Sequence, residues 1–228
     1  MKEIKQVRSI SIWIFLVPFV ALNACLILVT QFHSLFPNQE NILHNTIPYI
    51  DGGTSISRTA RVFPTYLIFK PAMFFTSYLL IKYWKYCKII ILNFDTNNRY
   101  INKIIFFGIG SAILLTIHAI FLGVHFDNSL YKLFRRVVML LFIIFGIVAQ
   151  GYLVYSLYKI KDNIRNLINI NFLKLKRILL TLLIVVAVFS IPIVTKPGYK
   201  FFKHALEWDY FLGVIIFYLL TFFMWKKK

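Results

Sequence analysis

Six apolar runs separated by short basic segments leave this chain of 228 residues few ways to fold. The runs occupy residues 9–32, 62–82, 104–124, 137–158, 178–195 and 210–225, and four of them extend 18 to 24 residues without a charge. About 20 residues of α-helix cross a hydrocarbon core. Because lipid offers no hydrogen-bond partners, the backbone must satisfy itself within each segment, which makes helices the expected form. The sequence thus predicts an all-α, polytopic membrane protein: one six-helix transmembrane domain over residues 1–228, with an ordered loop at 33–61 on the outer side. That loop contains Pro37, Pro48, Gly52 and Gly53, and Asp51-Gly52-Gly53 reads as a tight turn.

Hydrophobic residues make up 59% of the chain, too many for a water-soluble globule to bury. The net charge of +18 would suit nucleic acid only if it were gathered on one soluble face. Instead it sorts by topology. With the N-terminus in the cytosol, 17 of the 26 basic residues fall on the inner side, against the acids Glu3, Asp95 and Asp162. The bias matches the exclusion of Lys and Arg from exported segments, so both termini are expected to be cytosolic. A basic inner face attracts anionic headgroups and offers a surface to a protein partner; nucleic acid is not expected. Tyr83, Trp84 and Tyr86 fall where an interfacial aromatic belt would lie. Residues 159–177 read either as an amphipathic surface helix or as a helical extension joining two spans.

The first run is too long for a cleavable signal, whose apolar core spans about 7–15 residues, and it is read as an uncleaved signal anchor. Cys25 and Cys87 fall at different depths, so no disulfide is expected. None of Asn38, Asn41, Asn45 and Asn128 begins a glycosylation acceptor tripeptide.

Polar groups that could carry chemistry are few. Lys70 lies inside the second span before Pro71, where it either snorkels outward or faces a partner. His118 and His125 are seven apart and share a helix face. His204 and Glu207 are three apart at the start of the last span, followed by Trp208 and Asp209. His125, Asp127, His204, Glu207 and Asp209 could in principle converge on zinc, yet no closely spaced ligand motif is present, so neither metal nor another cofactor is expected. Ser55, Ser57 and Ser129 lack a nucleophile-elbow context.

The string Ile47-Pro48-Tyr49-Ile50-Asp51-Gly52-Gly53-Thr54 after the first span resembles the Pro-Tyr-Ile-Ser…Gly signature of the DRAM/Frag/Sfk family of six-span membrane proteins. Lys82-Tyr83, His125-Phe126-Asp127 and His204-Ala205-Leu206-Glu207-Trp208 are similar to further family segments in the same order. Two departures stand out: Asp51 replaces the family's Ser, and Arg135 or Arg136 replaces a histidine entering the fourth span. The resemblance implies a eukaryotic endomembrane or plasma-membrane protein in the sphere of GPI-anchor lipid remodelling, autophagy control or lipid organisation. Without it, a bacterial inner membrane is the other expectation. Two functions follow as expectations. The first is a non-enzymatic protein that binds or organises membrane lipids through a pocket at the outer helix ends. There Arg135 and Arg136 would fork onto phosphate while Asp51, His204 and Glu207 orient polar groups. The second is a lipid-remodelling acyl hydrolase or acyltransferase, with His125 or His204 as base and Glu207 as its partner.

Overall fold

The computed structural model describes residues 2–38, 41–43, 46–124 and 128–227, without the side chains at 194 and 195. Its helices are α1 (Lys2–Gln31), α2 (Ile56–Ala60), α3 (Tyr66–Phe94), α4 (Ile101–Phe121), α5 (Ser129–Lys159), α6 (Ile170–Thr195) and α7 (Lys200–Met224), with a 3-10 turn at His33–Leu35. Among the described residues the one β feature is an isolated antiparallel bridge, Ile168 to Trp225. By length and composition α1, α4, α5, α6 and α7 could each cross a membrane, the architecture of a helical membrane protein. α3 is as long as these but carries Lys70, Lys82, Lys85 and Lys88.

Local chemistry sets the helix ends. Asn128 and Asn169 cap α5 and α6 by accepting from the backbone N–H of Leu130 and Asn171, and Ser55 caps α2 by accepting from Arg58 N–H. α5, α6 and α7 begin about eight to ten residues before their apolar runs, at Ser129, Ile170 and Lys200. The helical hydrogen-bond ladder does not stop where hydropathy falls, and long basic side chains tolerate the polar flank.

The six long helices close into a ring. α1 packs on α3 and α7, α3 on α4, α4 on α5, and α6 bridges α5 and α7; the α5–α6 seam is the sparsest. Gly108 permits the close approach of α4 to α3, since a Cβ there would collide with the Trp84 ring. Both chain termini lie at one end of this ring. Arg8 Nε donates to Phe222 O at 3.2 Å, Asn169 N–H to Met224 O at 2.8 Å and Lys226 N–H to Leu167 O at 3.0 Å. Lys159 pairs with Asp95 at 2.9 Å at the same end.

Three expectations change. Tyr83 and Trp84 form no interfacial belt: both are fully buried, Trp84 against Gly108 of α4 and Tyr83 edge-on against Tyr218 of α7. Residues 160–167 form successive turns, and Ile160, Ile164 and Ile168 point into the core, so the apolar stripe seals the bundle end and forms no surface helix. Lys176, counted above with the inner-face charges, is fully buried. Its Nζ donates to Thr221 Oγ1 at 2.6 Å and sits 3.9 Å from the Phe217 ring centroid. The hydroxyl and the ring's π face replace part of the hydration that this amine loses on burial.

Candidate functional site

At the end opposite the termini, the loop after α1 folds down onto the start of α7. Asp51 organises it. Its Oδ1 accepts from Thr46 Oγ1 at 2.8 Å and Gly53 N–H at 2.7 Å, and its Oδ2 from Ile47 N–H at 2.7 Å. Desolvation alone would raise this carboxyl, but those three bonds outweigh it and hold Asp51 below the usual carboxylate range. Gly52 then turns with φ +62°, a left-handed conformation suited to glycine. That turn presents the Gly52 carbonyl to His204 Nδ1 at 2.9 Å. Two residues on, Thr54 O accepts from Trp208 Nε1 at 2.9 Å, and the Tyr49 ring meets Trp208 edge-on at 5.0 Å.

Glu207 reaches the start of α2, where its carboxylate accepts from the backbone N–H groups of Ile56 and Ser57. Ser57 Oγ in turn accepts from Arg135 Nη2 of α5 at 3.3 Å. The remaining Arg135 donor of interest, Nε, is buried without a partner. Arg58 and Arg61 stand nearby. Desolvation first, then the positive charges of Arg135 and Arg58, hold Arg61 below the usual arginine range. Three guanidinium groups so close make a spot of concentrated positive charge.

Beneath this rim the ring encloses a cavity of about 520 Å3, to which α1, α2, α3, α4, α5, α6 and α7 all contribute. Its walls are mostly Ile, Leu, Met and Phe. Leu140 and Ile144 of α5 and Ile191 of α6 line it and are also 44–59% exposed, so it opens sideways along the loose α5–α6 seam. Polar side chains punctuate it: Lys203 and Glu207 near the rim, His118 on α4, Tyr210 on α7 and Gln150 deeper on α5. His118 Nδ1, the Tyr210 hydroxyl and both Gln150 amide atoms are buried without hydrogen-bond partners. Most buried polar atoms are paired, so several orphans around one cavity make it a site for a ligand or ordered water.

Asp51, Arg135, His204 and Glu207 therefore meet around residues 51–57. Arg136, the next residue on α5, is exposed and makes no described contact with the loop. His125 and Asp127 lie outside the described residues. Lys70 Nζ donates to Ile120 O at 3.3 Å and lies 5.7 Å from the Tyr66 ring centroid, bridging α3 to the end of α4. Among the described residues no three His, Cys, Asp or Glu side chains converge as metal ligands. Cys25 and Cys87 are free and buried, Cys25 contacting Thr65 O near the rim. Sequence reasoning missed Gln150, Tyr210 and Arg61. Gln150 carried a readable signal, an amide in an otherwise apolar run, where polar residues usually serve packing or function.

No family model matches the chain. No curated protein and no solved structure matches it significantly.

Proposed function

We propose that the protein is a six-span integral membrane protein, both termini cytosolic, that binds a lipid with an anionic phosphate headgroup. The observation that carries this is the cavity itself: an apolar chamber of about 520 Å3 whose side opens at exposed apolar residues, with Arg135, close enough to Arg61 to lower its pKa, standing beside its Lys203–Glu207 rim. Its volume is in the usual range for small-ligand sites, ~300–1,000 Å3. At about 30 Å3 for a unit the size of a water molecule, it holds at least one full acyl chain. Arg135 would meet the phosphate with its buried Nε, and Arg61 would add charge; a guanidinium suits phosphate because its donors form a planar fork. Asp51, His204 and Glu207 hold the loop that frames this spot. Support for the sixth span is that α3 has 29 residues and packs within the ring between α1 and α4. Support for cytosolic termini is the basic bias of the end they share. The DRAM/Frag/Sfk resemblance belongs to the same proposal, resting on the Pro48–Thr54 segment and its order relative to His204 and Trp208.

The test uses purified full-length protein in nanodiscs with palmitoyl lysophosphatidate as probe and native mass spectrometry as readout. Wild type should retain the probe, and Arg135→Gln should weaken it about tenfold, as a lost charge-assisted hydrogen bond does. Equal binding by both proteins, or binding by neither, overturns the reading. Release of free palmitate during incubation would turn it toward the hydrolase.

A further inference from the structure

We propose that the deep end of the cavity is a second subsite, where Gln150 hydrogen-bonds a neutral polar group near the far end of the occupant's chain. This rests on the lipid-binding reading above and adds to it which lipids are preferred. Gln150 is fully buried, lines the cavity, and has neither its amide nitrogen nor its oxygen in a hydrogen bond. The Tyr218 hydroxyl lies beside it and interacts with the amide at the margin of hydrogen-bond geometry, leaving the amide's other positions open. Ser111 and Thr76 line the same cavity, and each donates back to its own helix, Ser111 to Gly108 O and Thr76 to Ala72 O, both at 2.8 Å. Their oxygens can still accept. Gln150 thus brings two donors and an acceptor to the deep end, and the cavity wall carries further hydroxyl acceptors.

The spacing decides what part of a lipid would arrive there. Arg135 and Gln150 are 15 residues apart on α5, about 22 Å along the axis, and Glu207 and Tyr218 are 11 apart on α7, about 16 Å. One leaflet of hydrocarbon is about 15 Å deep. Both distances exceed that depth, so only an extended chain of about palmitoyl length, its phosphate on Arg135 and its tail laid down the cavity, brings its end to Gln150. A methyl terminus would leave both amide atoms dry and unpaired, the costly way to bury a polar group. A hydroxyl or carbonyl would pair with them. The group must be neutral, because the charged side chains lining the cavity, Lys203 and Glu207, belong to its rim.

The experiment compares palmitoyl lysophosphatidate with its ω-hydroxy analogue on the full chain in nanodiscs. Wild type should bind the ω-hydroxy form about tenfold more tightly, the discrimination of roughly one neutral hydrogen bond. Gln150→Leu and Gln150→Met, which roughly keep the volume, should bind the plain form more tightly than wild type does and lose the preference. Equal affinities in wild type, or a preference that survives both substitutions, overturns the subsite while leaving the lipid-binding reading intact, and assigns Gln150 to an ordered water. Failure of wild type to bind either probe overturns both.

Discussion

Replacing Gly52 by alanine should unseat the loop that roofs the cavity, and the structure sets the size of the effect. At φ +62° a Cβ meets the left-handed penalty, about 1–2 kcal/mol for an ordinary residue. It would also land within the van der Waals envelope of the Phe201 carbonyl oxygen. That atom belongs to the backbone of α7 and cannot swing aside, so a further 1–3 kcal/mol or so of overpacking is expected. Gly198 provides the matched control. It too has positive φ, +91°, but a Cβ there meets nothing within 4 Å, so Gly198→Ala incurs the dihedral strain alone. At ~2–4 °C per kcal/mol for a chain of this size, Gly52→Ala should lower the melting temperature by about 10 °C and Gly198→Ala by about 4 °C. Cys25 and Cys87 are both buried and free, so a thiol-reactive fluorophore reports unfolding in detergent without any added label. Equal shifts for the two variants would refute the close seating of the 46–57 loop on α7.

Three further outcomes test the packing and electrostatics. Thr221→Val should destabilise by about 1–3 kcal/mol in the same thiol assay, because it removes the hydroxyl bonded to the buried Lys176 amine. Lys176→Met should be neutral or stabilising, and the double variant should recover the loss, since replacing both partners avoids a stranded amine. Trp208→Phe strips the donor from Thr54 O and trims the buried indole to a smaller phenyl, and should cost about 1–3 kcal/mol for the bond plus the void's own penalty by thermal unfolding. Asp51 gives the loop a pH dependence of definite sign. Its folded carboxyl titrates below its unfolded one, so its stabilisation is complete above the ordinary carboxylate range and is lost as pH falls through the folded value. Limited proteolysis of the 46–57 loop should accelerate between neutral pH and about pH 3, and Asp51→Asn should be cut faster at neutral pH with little further change on acidification.

The long helices were legible because each is a property of a contiguous segment: an apolar run of this length translates directly into a long helix. The loop turn at Asp51-Gly52 was legible for the same local reason. What escaped was everything that depends on which helix faces which. Tyr83 and Trp84 have the composition and sequence position of an interfacial belt, yet the face of α3 that carries them packs against α4 and α7. Lys176 sits between Leu175 and Arg177 in a basic stretch, and only the approach of α7 shows that this one lysine points inward. His204 and Glu207 were readable as neighbours on one turn, but their partners, Gly52 and the α2 N-terminus, lie about 150 residues away. Arg135 and Arg136 look equivalent in sequence; the roughly 100° between successive helical residues sends one to Ser57 and leaves the other exposed.

The way the ring is closed bears on how any occupant reaches the cavity. At the loop end the path from water is blocked by Trp208, Tyr49 and the bonds that tie residues 52–57 to α7. At the other end, Tyr83, Lys176, Thr221 and Trp225 surround a gap of only about 10 Å3, too small for a chain to pass. The α3–α4 wall is drawn tight where Gly108 lets Trp84 seat. Among the described residues, the exposed apolar side chains that belong to the cavity lining, Leu140, Ile144 and Ile191, all sit on the α5–α6 seam. A chain sliding between these helices trades lipid contacts for protein contacts and desolvates no polar backbone, so the step needs only side-chain and small helix displacements. A water-borne ligand would have to lift the whole loop and break its bonds to α7. Arg135 stands one turn from Met139 at the loop end of that seam, the place the proposed lipid reading gives to a headgroup whose chain has moved in sideways.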